Sequence, residues 1–297
     1  ETPNIWSKAF RNPLRQLINL DDVPEQDWSD FDERHLLKPF IGKVYHGGAF
    51  EFSRGCFGSC TFCVAPRLRK TQEGLGTYHR TKSPEHLIDE IGNKVDSYNL
   101  TMISFSDTDF LRGVKPEVMS KFLELYALNI NLPFTMQCSA NTLLNENILT
   151  LLRKAKCCAI SVGVESGSRK IREQVIKKSM SDDMLVRAFN LCRKHELRTT
   201  ANYMVGLPAE TEDDVHATMK LNRLINPPSI AVTYFTPFMG TELYDICVKE
   251  GYYKPFQENI YEYPPLDMPQ LKQNRIKELV KEFSDDFRAY QKDFSII

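Results

Sequence analysis

The segment Ser53-Arg54-Gly55-Cys56-Phe57-Gly58-Ser59-Cys60-Thr61-Phe62-Cys63 holds the densest potential chemistry in the chain. Three thiols at C-x-x-x-C-x-x-C spacing fall within eight residues. They can wrap one metal centre at little loop-closure cost. Gly55 and Gly58 let the backbone turn tightly and approach a ligand. Soft thiolates select zinc, Cu(I) or iron–sulfur clusters. Three readings stand side by side. The thiols can be small buried hydrophobes, although clustering with two glycines argues against that. A structural zinc needs a fourth ligand, and His46 and His79, the nearest, lack finger-like spacing. A 4Fe–4S cluster on three thiolates leaves one iron open, much as a catalytic zinc keeps an open position.

Elements must bring other polar groups to this loop. Short apolar runs alternate with amphipathic ones after Tyr45, the pattern of repeated βα units. The spacing predicts strands at 49–53, 100–106, 134–139, 157–164, 199–205 and 230–235. Helices are predicted at 83–98, 116–128, 145–155, 181–195, 211–224 and 270–291. Ser83-Pro84 opens the first of these, Ser as N-cap and Pro at the first helical position. Strands followed by helices imply a mainly parallel sheet, with both faces buried and apolar. Chemistry then belongs at the C-terminal strand ends, in a barrel or an open sheet alike.

The chain has 297 residues, 42% hydrophobic and 26% charged, as in soluble globular proteins. Its net charge of -1 gives no ground for general nucleic-acid binding or an acidic membrane surface. No run of 18 apolar residues suggests a membrane span, and Glu1–Phe10 lacks a signal-peptide pattern. Eight cysteines, only three of them clustered, suit a reducing cytoplasm with a metal site better than a disulfide framework. Cys157 and Cys158 are expected in the core, and the six scattered histidines receive no role. The chain begins without Met in linker-like sequence, as a fragment of a longer protein would.

Cys56-x-x-x-Cys60-x-Phe62-Cys63 after a first strand resembles the signature of the radical S-adenosylmethionine (SAM) superfamily. The resemblance covers about residues 15–255. It implies a 4Fe–4S cluster on Cys56, Cys60 and Cys63, whose free iron is chelated by the amino and carboxylate groups of SAM. One electron then cleaves SAM to methionine and a 5′-deoxyadenosyl radical, which abstracts a hydrogen atom from the substrate. Phe62 is expected near the adenine. Ser161-Val162-Gly163-Val164-Glu165-Ser166-Gly167-Ser168 resembles the ribose-contacting segment, and a carboxylate such as Glu165 accepts from two adjacent hydroxyls; Ser166 and Ser168 also suit a helix N-cap.

Tyr203-Met204-Val205-Gly206-Leu207-Pro208-Ala209-Glu210-Thr211 resembles the strand-five adenine motif, with Tyr203 and Gly206 as contacts. A plain strand-to-helix turn is the alternative, and Ala209 stands where the family usually has Gly. Asp107, in Ser106-Asp107-Thr108-Asp109-Phe110, is a candidate for the methionine ammonium, although the Gly-Gly-Glu of many members is absent. Lys178 is a candidate for the SAM carboxylate or ribose, or a solvated lysine. Ser139 and Asn141 are candidates on the same rim. Tyr252, Tyr253, Tyr261 and Tyr263 form an aromatic stretch that either packs or covers the barrel mouth.

The segment Thr236–Tyr244 and the linker from Leu20 to Trp28 resemble the cobalamin-associated subgroup. Neither its Rossmann-like domain nor its D-x-H-x-x-G signature occurs here. The implied fold is a partial (β/α)6 TIM-like barrel at residues 46–245, with an N-terminal linker at 1–45 and a C-terminal helical extension at 246–297. The implied activity is methylation of an unactivated carbon with cobalamin. Alternatives are a cobalamin-independent methylthiotransferase, epimerase or oxidative cyclase, or a metal-binding scaffold without turnover. An electron donor such as flavodoxin or ferredoxin is the implied partner.

Overall fold

The computed structural model describes residues 12–253 and 262–292. Its strands are β1 (Leu37–Phe40), β2 (Lys43–Phe50), β3 (Ser53–Arg54), β4 (Arg80–Thr81), β5 (Met102–Phe105), β6 (Phe134–Cys138), β7 (Cys157–Glu165), β8 (Thr199–Val205) and β9 (Ser229–Tyr234). The helices are α1 (Ala65–Thr71), α2 (Pro84–Tyr98), α3 (Pro116–Asn129), α4 (Glu146–Lys154), α5 (Asp182–Lys194), α6 (Glu212–Ile225), α7 (Glu242–Lys249) and α8 (Gln273–Lys292). Seven strands form one sheet in the order β1-β2-β5-β6-β7-β8-β9. Six run parallel and curl into a half-barrel, the partial TIM-like barrel expected. β1 adds an antiparallel edge through a hairpin to β2.

Side-chain chemistry sets the helix starts. The Ser83 hydroxyl caps α2 by accepting from the His86 amide, with Pro84 in the first turn. Ser181 caps α5, and Thr211 with Asp214 forms a capping box on α6. Each satisfies amides that the first turn leaves without intrahelical partners. The outward strand residues Phe134, Met136, Ile160, Val162, Val164, Ala201 and Val205 are buried beneath the helices. α8 covers β8 and β9 by burying Ile276, Leu279 and Phe283.

Two expectations change. The first strand runs over Lys43–Phe50 rather than 49–53, because Gly47 and Gly48 interrupt its apolar pattern. A Cβ on Gly47 would lie 2.6 Å from Lys38 Cγ, so the glycine lets the β1 side chain lie across β2. The strands are also not apolar on both faces. Thr135, Gln137, Ser161, Thr200 and Asn202 line the concave face, which no second layer of helices covers among the described residues.

Cys157 is buried in β7 and Cys158 half-buried, both as free thiols. Tyr252 and Tyr253 pack against the core, and Tyr263 lies under Lys277; Tyr261 falls outside the described residues. Among the described residues, no helix is long and apolar enough to cross a membrane.

Candidate functional site

The cysteine loop is tied down on every side. Asp107 is 1% exposed, and its carboxylate accepts from the Phe52 amide (3.1 Å), the Ser53 amide (2.6 Å) and the Ser53 hydroxyl (2.6 Å). Burial pushes this carboxyl up to about 6 against the hydrogen bonds that lower it. Through these bonds Asp107 fastens the entry to the cysteine loop. Gly55 follows at φ +99, where a Cβ would meet the Tyr78 carbonyl oxygen at 2.6 Å. From α1, Arg69 donates to the carbonyls of Cys56 and Gly58, both at 3.2 Å.

The three thiols are half-buried and unpaired. A Cβ on Gly58 would lie 3.2 Å from Cys56 Sγ and 3.8 Å from Cys60 Sγ, so the glycine leaves room between two sulfurs. The Gly58 amide donates to Cys56 Sγ (3.3 Å) and the Ala65 amide to Cys63 Sγ (3.4 Å). Such bonds stabilise thiolates and tune iron–sulfur centres. Burial raises the Cys60 thiol, and the Lys178 ammonium acts in the opposite direction. Among the described residues, no three His, Cys, Asp or Glu side chains converge tightly enough to chelate a single ion. His79 stacks on Phe57, and His46 bonds the Tyr98 carbonyl, so neither joins the thiols. Three thiolate donors with the space beside Gly58 fit an iron–sulfur cluster.

At the end of β7 the strand bulges between Gly163 and Glu165, and Glu165 takes φ +71. A non-glycine residue held there stores local strain. Lys178 Nζ donates to Glu165 Oε1 (2.9 Å) and to the Gly163 carbonyl (2.7 Å). Burial alone would lower the Lys178 ammonium, but Glu165 outweighs it and the net shift is upward. A Cβ on Gly163 would fall 2.3 Å from Glu165 Oε1 and 2.6 Å from Lys178 Nζ. The segment carrying Lys178 is held by Arg172, a fully buried arginine that the sequence reading missed. It donates to the Met180 carbonyl (3.0 Å) and the Ser166 carbonyl (2.9 Å) and pairs with Asp182.

A polar cavity of about 220 Å³ opens among Gly58, Cys60, Arg112, Ser139, Asn141 and Lys178. The buried Asp109 accepts from the Ser139 amide (3.1 Å) and hydroxyl through Oδ2. Its Oδ1 has no protein partner, and burial raises its carboxyl. Asp109 lies two residues beyond Asp107 in the same acidic motif, in the loop after β5, where no periodicity separates the two. An apolar cavity of about 300 Å³ is lined by Phe62, Met204, Thr233, Phe235 and Phe238.

Tyr203 does not join it. Alternation on β8 puts Tyr203 under the helices, its hydroxyl donating to Asn222 (3.0 Å) and its ring against Phe283, while Met204 faces inward. Gly206 sits at φ +92 in the turn after β8, where a Cβ would meet Ile276 of α8 at 3.2 Å. Its amide and that of Leu207 both donate to Glu210 Oε2, at 2.6 and 3.1 Å. Ala209 takes φ +63 in the same turn, a backbone state that glycine enters more easily.

The sequence profile described as the Radical SAM superfamily matches residues 50–221. An uncharacterized methyltransferase of Pyrococcus horikoshii is 26% identical over 245 residues, covering 81% of this chain and 50% of that protein. The cytidylyl-2-hydroxyethylphosphonate methyltransferase of Streptomyces wedmorensis is 23% identical over 292 residues, covering 91% and 52%. The chain thus spans about half the length of these curated relatives. Among solved structures, the radical S-adenosylmethionine methyltransferase TsrM of Kitasatospora setae, with cobalamin and a [4Fe-4S] cluster bound, superposes with a TM-score of 0.61. It is 16% identical, and the match covers 83% of this chain and 52% of TsrM, a likeness of fold.

Proposed function

This chain belongs to the radical SAM superfamily, and we propose that it cleaves SAM reductively at a 4Fe–4S cluster held by Cys56, Cys60 and Cys63, in the service of methylating an unactivated carbon with cobalamin. The observation that carries this reading is that Cys60 and Gly58 of the cysteine loop share one polar cavity with Lys178, Arg112 and Ser139, the last of these bonded to Asp109. A bound cluster supplies the electron that breaks a carbon–sulfur bond of SAM. The residues supply position and shelter.

Lys178 and Arg112 give the cavity positive charge suited to the methionine carboxylate. Asp109, with one oxygen free of protein partners, is the acid suited to the ammonium, in place of Asp107. Glu165 presents a carboxylate for ribose hydroxyls, held by Lys178. Phe62 and Met204 offer an apolar wall for adenine. Walls on two sides exclude water from a reactive radical. Methyl transfer is supported by the names of the curated relatives, and cobalamin by the group bound in TsrM. The partner it calls for is a one-electron donor of the flavodoxin or ferredoxin class.

The test is incubation of the protein with SAM, dithionite and added cobalamin, followed by identification of the adenosyl products. S-adenosylhomocysteine alongside 5′-deoxyadenosine supports methyl transfer. 5′-Deoxyadenosine alone indicates hydrogen abstraction without it, and neither product refutes the reading.

A further inference from the structure

The concave face of the half-barrel below the rim is unlike the interior of a closed barrel. Closed (β/α)8 barrels fill that space with layers of bulky branched side chains. Here the inward positions on four neighbouring strands are Ser104 on β5, Thr135 and Gln137 on β6, Ser161 on β7, and Thr200 and Asn202 on β8. They stand in register: Ser104 beside Thr135, Gln137 beside Ser161, and Ser161 beside Thr200. All but Asn202 line, with Phe40 and Ala159, a cavity of about 470 Å³, in the size range of small-molecule sites. No charged side chain lines it among the described residues.

The hydrogen bonds already made on this floor decide what it still offers. Gln137 Nε2 donates to the Asp107 carbonyl (2.8 Å), which only accepts, so the amide orientation is fixed. Its Oε1 is then an acceptor without a partner among the described residues, on a residue that is itself exposed. Asn202 bonds the Ser161 hydroxyl (2.7 Å), and Thr135 donates to the Ser104 hydroxyl (3.2 Å). Ser161 and Ser104 accept in these bonds and keep hydroxyls that can still donate, while Gln137 Oε1 accepts, so the floor offers both kinds of partner to whatever enters. A hydrocarbon would strip these groups of water without replacing its hydrogen bonds, and an ion would find no counter-charge.

We infer that this floor anchors the substrate through an uncharged group that both donates and accepts hydrogen bonds, such as a carboxamide or a hydroxyl. The inference rests on the reading of the rim as the radical site and adds the substrate class. Ser161 and Glu165 are four residues apart on β7, so floor and rim are separated by about 13 Å. A substrate gripped at the floor therefore presents a carbon well removed from its anchoring group.

The experiment uses four probes of one shape: benzamide, benzoate, benzylammonium and toluene. Binding of each to the reconstituted protein is measured by ligand-detected NMR, for wild type, Gln137→Met and Thr200→Val. Benzamide is expected to bind best of the four and to weaken about fivefold in either variant, the value of roughly one hydrogen bond. Thermal melting identifies any variant that fails to fold, and the other variant then carries the comparison. Benzoate, benzylammonium or toluene binding as well as benzamide overturns the inference. So does benzamide that binds the variants as tightly as wild type, or that does not bind at all. SAM cleavage by wild type without added substrate is measured in parallel: its absence refutes the reading of the rim, while the probe ranking still judges the floor.

Discussion

The Thr61 hydroxyl donates to the Val175 carbonyl at 2.7 Å, joining residues 114 positions apart. The Thr61 amide adds a bond to the Ile176 carbonyl (3.2 Å), and its carbonyl accepts from the Leu243 amide (3.1 Å). One buried residue between Cys60 and Phe62 thus fixes the cysteine loop to the loop after β7 and to α7. Thr61→Val keeps the shape and removes the side-chain bond. It is expected to cost about 1–2 kcal/mol, since the Val175 carbonyl loses its partner. Urea unfolding measures that cost, and calorimetry should show weaker SAM binding with iron content unchanged.

Gly163 separates stability from binding. A methyl group there displaces Glu165 Oε1 and Lys178 Nζ, both at the ends of flexible side chains. Gly163→Ala should therefore stay within about 1 kcal/mol of wild-type stability. SAM affinity should fall roughly tenfold, equal to about 1.4 kcal/mol. Equal dissociation constants for variant and wild type would remove the Glu165–Lys178 pair from the SAM site.

Two aspartates two residues apart are expected to fail differently. Asp107→Ala leaves two backbone amides and a hydroxyl without their acceptor, so the melting temperature should drop sharply. Asp109→Asn keeps an oxygen for Ser139 and loses the charge, so SAM binding should weaken with little change in melting. Melting curves and calorimetry on both variants test the assignment, and the opposite pattern would restore Asp107 as the ligand.

Glu210 makes stability depend on pH. Burial pushes its carboxyl up to about 8, although the Gly206 and Leu207 amides pull it down. Between its ordinary value and about 8, the folded state holds a proton that the unfolded state has released. Stability therefore falls as pH rises through this window, and the loss is complete above it. Both amides bond the same oxygen, so the amide oxygen of Glu210→Gln can accept both. The variant should melt with a flatter pH profile between pH 6 and 8.5 than wild type. Parallel profiles would show that Glu210 does not titrate there.

Hydrophobic period and capping chemistry made most of the scaffold legible. β8 spans Thr199–Val205 as its pattern predicts, and α2, α5 and α6 start one residue after their Ser or Thr caps. The glycines of β2 hid its start, since the reason for Gly47 lies in Lys38 and that for Gly48 in Leu100 and Trp28, all outside the strand. The cysteine loop was legible because its chemistry is local. The rest of the site was not, because it depends on which way a side chain turns. Alternation on β8 separates Tyr203 from Met204, but Asp107 and Asp109 read alike in sequence until the loop after β5 turns one to Ser53 and the other to Ser139. Arg172 gave no signal at all: its bonds go to carbonyls and to Asp182, which only the folded loop brings near.

The decisive measurement is electron paramagnetic resonance of the anaerobically reconstituted and reduced protein, with and without SAM, together with iron and sulfide analysis. A cluster on Cys56, Cys60 and Cys63 with one open iron predicts about four irons and four sulfides per chain. It also predicts a spectrum that shifts when SAM is added and disappears in Cys60→Ala. A colourless protein that takes up zinc, or an iron signal indifferent to SAM, would contradict it.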